Sequence, residues 1–184
     1  MGRWTNADGL QVPFGNYWKN PRNFKNRPRS VNTLGAEKEI VIDVDLTLIP
    51  AGTVSYTSDL NNDGTLDGFN IGDIYLPAFA SVKQAYIVMT EAAAGGTSIS
   101  VGTFTRTGSA INATGIMTAT EGAIANLDTR GARTYGAGAY VAATAETASV
   151  GSADAYIGIT TTGTFTAGKG RLVIIYTDPN GDSA

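Results

Sequence analysis

The stretch Glu39 to Leu48 (EIVIDVDLTL) alternates without a break. Ile40, Ile42, Val44, Leu46 and Leu48 fall on one face, and Glu39, Val41, Asp43, Asp45 and Thr47 on the other. A period of two places successive side chains on opposite sides of a strand, so the segment predicts a β-strand with one wet face. Ser81 to Thr90 (SVKQAYIVMT) predicts a second long strand. Its Val82, Gln84, Tyr86, Val88 and Thr90 share one face, its Lys83, Ala85, Ile87 and Met89 the other, and its apolar centre suits a middle position in a sheet. Shorter β-branched or aromatic runs follow the same logic at Thr53 to Thr57, Ile71 to Leu76, Thr97 to Thr107, Ala139 to Thr147, Ala155 to Thr162 and Arg171 to Thr177.

Turn chemistry separates these runs: Pro50-Ala51-Gly52, the Asp/Asn/Gly cluster from Ser58 to Gly68, Gly95-Gly96, and Gly163 to Gly170 (GTFTAGKG). Gly108 to Gly138 reads as loop and short strands, with a weak helical pattern at Thr120 to Leu127. Repeated short strands with Gly-rich turns predict an all-β fold, an antiparallel β-sandwich. A jelly roll is the most economical eight-strand arrangement.

The first 38 residues are of a different kind. Arg3, Lys19, Arg22, Lys25, Arg27, Arg29 and Lys38 stand against Asp8 and Glu37, a balance of +5. The whole chain carries −3, so the remainder carries −8. Trp4, Phe14, Tyr17, Trp18 and Phe24 also fall here, with neither helical nor alternating periodicity to bury them. Tryptophan, tyrosine and arginine dominate binding hot spots. Residues 1–38 are therefore expected to be an extended basic and aromatic arm ordered on a partner, with Trp4, Phe14, Tyr17, Trp18, Arg22, Phe24, Lys25, Arg27 and Arg29 as its contacts. The alternative is that the aromatics cap one end of the chain's own β core and the basic charges form a solvated rim. Residues 39–178 form the expected β-sandwich domain and 179–184 a flexible C-terminal tail.

The chain has no cysteine and no histidine. That removes disulfides, thiol nucleophiles, Ser-His-Asp systems, histidine zinc sites and any imidazole base poised near neutrality. A pI near 4.8 argues against nucleic-acid binding by the chain as a whole, though the arm could touch phosphate. The start, MGRWTNADGL, lacks the apolar core of a secretory leader, and no apolar run approaches the roughly 20 residues that span a bilayer. A soluble product made in the cytoplasm, without a membrane partner, is the expectation.

Three clusters invite a chemical reading. Asp59-Leu60-Asn61-Asn62-Asp63-Gly64-Thr65-Leu66-Asp67 fits the start of a calcium loop, with oxygen ligands Asp59, Asn61, Asp63, Thr65 and Asp67 at alternate positions and Gly64 at the bend. Position twelve is Asn70 instead of the bidentate glutamate, and no helices flank the loop, so a solvated hairpin competes with a calcium site. Gly163 to Lys169 spells G-x-x-x-x-G-K, but Gly170 and a strand follow where a phosphate loop needs Ser or Thr and a helix; a hairpin is expected. Asp43 and Asp45 share a strand face and could serve as paired acids, yet Glu39 and Thr47 share it too, as on an exposed sheet surface. An enzyme is not expected, and no cofactor is required beyond a candidate calcium ion.

Gly72 to Ala94 (GDIYLPAFASVKQAYIVMTEAAA), Ile99 to Phe104 (ISVGTF) and Gly163 to Tyr176 (GTFTAGKGRLVIIY) together resemble a pattern in small tailed-bacteriophage virion proteins. There a strand leads to L-P-a-x-a-x-V, then to a V-x-x-x-E-A strand, a "VGT" strand and a final "TAGKG" hairpin ending in tyrosine. The family is similar to capsid decoration, or cement, proteins. The resemblance implies a β-sandwich or jelly-roll knob, commonly a homotrimer, that sits on the outer capsid surface of the virion, binds the major capsid protein and ties neighbouring subunits together against internal pressure. The arm has no counterpart in that pattern. Two other readings stay open: a neck or tail-tube structural protein, and a calcium-dependent carbohydrate-binding sandwich.

Overall fold

In a computed structural model, the structure describes the backbone of residues 2–5, 11–14 and 28–32, and residues 37–55, 68–69, 74–141 and 149–178 in full. Eleven strands lie in these residues: β1 Gly2–Thr5, β2 Gln11–Phe14, β3 Pro28–Asn32, β4 Glu37–Asp45, β5 Tyr75–Leu76, β6 Ser81–Gly95, β7 Ser98–Phe104, β8 Ala110–Met117, β9 Arg133–Tyr135, β10 Ala155–Thr162 and β11 Phe165–Thr177. β1 pairs with β2, Trp4 opposite Val12. The remaining strands form a four-stranded sheet, β5-β10-β7-β8, and a five-stranded sheet, β3-β4-β11-β6-β9. Every pairing between named strands is antiparallel.

One folded ribbon joins the two sheets. β6 pairs with β11 from Ser81↔Thr177 to Phe165↔Gly95, and the same two chain segments continue as β7 and β10 from Ser98↔Thr162 to Phe104↔Tyr156. At the crease the N–H groups of Gly96 and Thr97 donate to the carbonyls of Thr164 (2.8 Å) and Thr162 (2.7 Å), so the ladder passes from sheet to sheet with its hydrogen bonds kept. The crease needs glycine: Gly95, Gly96 and Gly163 have φ of 69°, 57° and 76°, in the left-handed region.

The ribbon's concave side is the core. Ile40, Ile42 and Val44 of β4, Ala85, Ile87 and Met89 of β6, and Leu172 and Ile174 of β11 face Ile99 and Val101 of β7, Ile116 and Met117 of β8, and Ile157 and Ile159 of β10 in one buried cluster. A smaller cluster of Phe69, Phe104 and Tyr156 lies beside it. The long strands are irregular where inside and outside change phase. A register shift at Ile175/Tyr176 lets both Val82 and Ala85 point inward, which strict alternation forbids.

The all-β, antiparallel, two-sheet expectation holds. Several local expectations do not. The strand expected over Glu39 to Leu48 ends at Asp45, because the Asp45 carboxylate accepts from the Thr47 N–H (3.2 Å) and hydroxyl (2.6 Å) and starts a 3-10 turn, Leu46–Leu48. Leu46 is buried and Leu48 exposed as a result. Of the strand expected at Thr53 to Thr57, the described residues show an isolated bridge, Val54↔Thr160; Tyr56 and Thr57 lie outside them.

Ala139 to Val141 turn instead of running as a strand, since Tyr140 N–H donates to Gly115 O and Val141 N–H to Gly138 O; residues 142–148 lie outside the described set. The helical pattern at Thr120 to Leu127 resolves to a short 3-10 turn, Ile124–Asn126. In Gly163 to Gly170 only Gly163 and Thr164 turn, because β6 extends far enough to pair Phe165 and Lys169.

Candidate interaction surface

The outward face of the five-stranded sheet is not uniformly wet. Cross-strand pairing lines up Val41, Val173, Tyr86 and Tyr135 in one row across β4, β11, β6 and β9. The next row is Asp43, Arg171, Val88 and Arg133. Directly opposed residues of an antiparallel pair lie within contact distance on one face, so each row is a continuous stripe. Val41 and Val173 are only 7% and 6% exposed although they point away from the core cluster.

Charged and aromatic side chains frame these valines. Arg171 Nε donates to Asp43 at 3.2 Å, Lys169 Nζ to Glu91 at 2.5 Å, and the Arg133 guanidinium sits 4.7 Å from the centre of the Tyr86 ring. Tyr86 and Tyr135 lie 5.7 Å apart, tilted against each other. The hydrogen bond to Glu91 holds the Lys169 ammonium above its ordinary pKa, and that between Arg133 and the Tyr135 hydroxyl does the same for the guanidinium. Between them runs an open groove of about 480 Å³ with Val41, Val88 and Val173 on its floor and Tyr86, Arg133 and Arg171 along its sides. Tyrosine and arginine over an apolar floor suit recognition of a protein surface.

A second feature stands at one end of the sandwich, where β6 begins. Pro77 to Ala80 form a β-turn closed by the Ala80 N–H on the Pro77 carbonyl (3.0 Å). Phe79 occupies the third position with φ of 62°, the only non-glycine in the left-handed region among the described residues. The turn is fixed from below: Phe79 N–H donates to Gly151 O at 2.7 Å and Ala78 N–H to the Asp154 carboxylate at 3.2 Å. The Phe79 residue itself is 54% exposed. Nearby on β5, Tyr75 is also exposed and packs its ring 5.8 Å from that of Tyr156.

Of the arm residues singled out in the sequence, Trp4 lies in β1, Phe14 in β2 and Arg29 in β3, described as backbone positions. β3 pairs with β4 as an outer strand of the five-stranded sheet, so part of the arm's backbone belongs to the body's hydrogen-bonded ladder. Tyr17, Trp18, Arg22, Phe24, Lys25 and Arg27 lie outside the described residues, as do the cation-loop residues Asp59, Asn61, Asp63, Thr65 and Asp67. Among the described residues no group of three or more acidic side chains is placed to hold a metal.

The Asp43 carboxylate accepts from Arg171 and that of Asp45 from Thr47. Gly163 and Thr164 join β10 to β11 in a strand-to-strand hairpin, as expected, and Gly170 lies within β11. Sequence reasoning did not single out Phe79 or the Tyr86, Arg133 and Arg171 constellation. Alternation puts Tyr86 and Val88 on a common face, but the strand partners that set Arg133 and Arg171 beside them are not written in the local sequence. No known protein family, curated protein or solved structure matches the chain.

Proposed function

We propose that this protein is a tailed-phage virion structural protein, a capsid decoration or cement protein that binds the major capsid protein on the outer surface of the shell. The observation that carries the reading is where the family-like segments lie. Gly72 to Ala94 contains β5 and nearly all of β6, Ile99 to Phe104 lies within β7, and Gly163 to Tyr176 contains all of β11 but Thr177. The resemblance thus falls on one continuous device, the folded ribbon that both sheets share. A cement protein needs a stiff body, a surface that recognises protein and a segment that reaches across a neighbour. The outward face of the five-stranded sheet, with its valine floor and its Tyr and Arg walls, supports the second requirement.

The arm supplies the third. Its +5 balance against a −8 body favours an acidic protein lattice as the target, and its aromatics favour pockets over DNA phosphate. A segment that orders on binding pays in conformational entropy and in return covers a wide surface. Many copies on a symmetric shell add avidity. On this reading the protein has no catalytic role, and three copies form the knob.

Trp18→Ala with Arg22→Ala tests the reading. Attachment to purified shells should fall at least tenfold while the circular-dichroism spectrum and melting temperature of the body stay unchanged. Undiminished shell occupancy by the folded variant would overturn the arm's role.

A further inference from the structure

Phe79 is held in a backbone conformation that its own side chain makes unfavourable, and it is exposed there. The third position of such a turn normally falls to glycine, since a side chain there brings Cβ against the backbone. Here three hydrogen bonds fix the turn around a large apolar ring, two of them from Phe79 and Ala78 to Gly151 and Asp154. Glycine would close the same turn without strain, so what the strain keeps is the ring. Strain retained at an exposed site points to use of the side chain it displays.

The ring has a neighbour in the sequence. Of the five large hydrophobic residues exposed among the described residues, only Tyr75 and Phe79 lie within five positions of each other, and the Tyr75 ring is braced by Tyr156 at 5.8 Å. A paired display of this kind marks an interaction site more than single exposed residues do. Its chemistry narrows the partner. The two segments that build it, 74–81 and 149–154, contain no lysine or arginine, and Asp154 is their one charged residue. Nothing there would hold a nucleic-acid phosphate or an anionic lipid headgroup. Aromatic rings with little freedom left to lose suit an apolar pocket on a protein.

The turn also stands where the arm joins the body. Ser81, two residues beyond Phe79, pairs with Thr177, and Thr177 pairs with Glu37, the first residue of β4. Two strand spacings, about 10 Å, separate β6 from β4 at this end of the sheet. A partner that orders the arm is therefore within reach of the turn.

We propose that Phe79 is a second anchor, carried by the body, that seats in an apolar pocket of the same major capsid protein that orders the arm. The inference rests on the capsid reading and adds to it a contact that neither the arm nor the sheet groove supplies.

Titration of the purified full chain onto shells that lack it tests the proposal, with Phe79→Gly and Phe79→Asn as variants. Both residues take the left-handed region readily and neither has the ring. Each variant should melt no lower than wild type and should bind shells at least about tenfold more weakly. Wild type that binds while both variants bind equally well would overturn this inference and leave the capsid reading standing. Wild type that does not bind shells would overturn both. Melting well below wild type in both variants would show the ring at work inside the fold, and a change in the sedimentation of the unbound variants would give it to contact between copies; either would also overturn the proposal.

Discussion

Gly96 lies directly under the ring of Phe165 at the crease between the two sheets: a β-carbon built on the glycine would come within 2.6 Å of the ring's Cε2. Phe165 is buried and belongs to the main core cluster, so the ring has nowhere to retreat. Gly96 also has φ of 57°. Steric and conformational demands thus coincide on one residue, at the point where β6 becomes β7.

Gly96→Ala is accordingly expected to destabilise the fold by about 2–4 kcal/mol, the sum of a left-handed alanine and an overpacked contact. Urea titration measures it. Phe165→Leu in the same chain should recover part of the loss, since a smaller side chain relieves the contact but not the backbone strain. Gly52, with φ of 76° and open space around the built β-carbon, is the control; its alanine variant should lose only the conformational part.

Alkaline stability depends on Tyr176. Burial in the core, with smaller contributions from Asp178 and Tyr75, pushes its phenol up from 10.0 to about 12. A group whose folded pKa is raised contributes stability that is complete below the unfolded pKa and is lost as pH climbs to the folded one. Between pH 10 and about 12 the unfolded chain therefore releases this proton first, and stability should fall by up to about 1.4 kcal/mol per pH unit from this group. Tyr176→Phe should show a shallower decline over that window in pH-dependent denaturation, while lysine titration contributes equally to both proteins.

The ion pairs should differ in strength according to their exposure. Lys38 and Asp178 meet at 2.8 Å with side chains 17% and 10% exposed, whereas Lys169 and Glu91 are about half exposed. Double-mutant cycles with Lys38→Met and Asp178→Asn should give a coupling above about 1 kcal/mol that survives salt, because screening reaches a buried pair poorly. The Lys169 and Glu91 cycle should give a much weaker coupling that vanishes in high salt. Equal couplings would contradict this ranking.

How far the sequence reveals this fold is clear from particular strands. Ala155 to Thr162 appears with the bounds read from its residues, and the inward phase of Ile40, Ile42 and Val44 follows their alternation. Both signals are local. The end of β4 escaped because Asp45 is an acceptor for its own turn, a side-chain contact that competes with the periodicity of Leu46 and Leu48. The early start of β11 escaped because Thr164 to Gly170 is turn-like in composition and is made strand by its partner β6. The interaction surface was legible only in part: alternation groups Tyr86 with Val88 on one face, but register alone sets Tyr135, Val173 and Val41 beside it. Phe79 was invisible because Pro-Ala-Phe-Ala carries no signal of a left-handed residue.

The central claim, that this chain decorates a capsid, is tested most directly by its stoichiometry in the purified virion. Quantitative mass spectrometry of intact particles against the major capsid protein should find it in hundreds of copies, in fixed ratio to the shell subunits, as repeated symmetric sites require. A count of about a dozen, the number of a neck ring, or its absence from the particle would contradict the account.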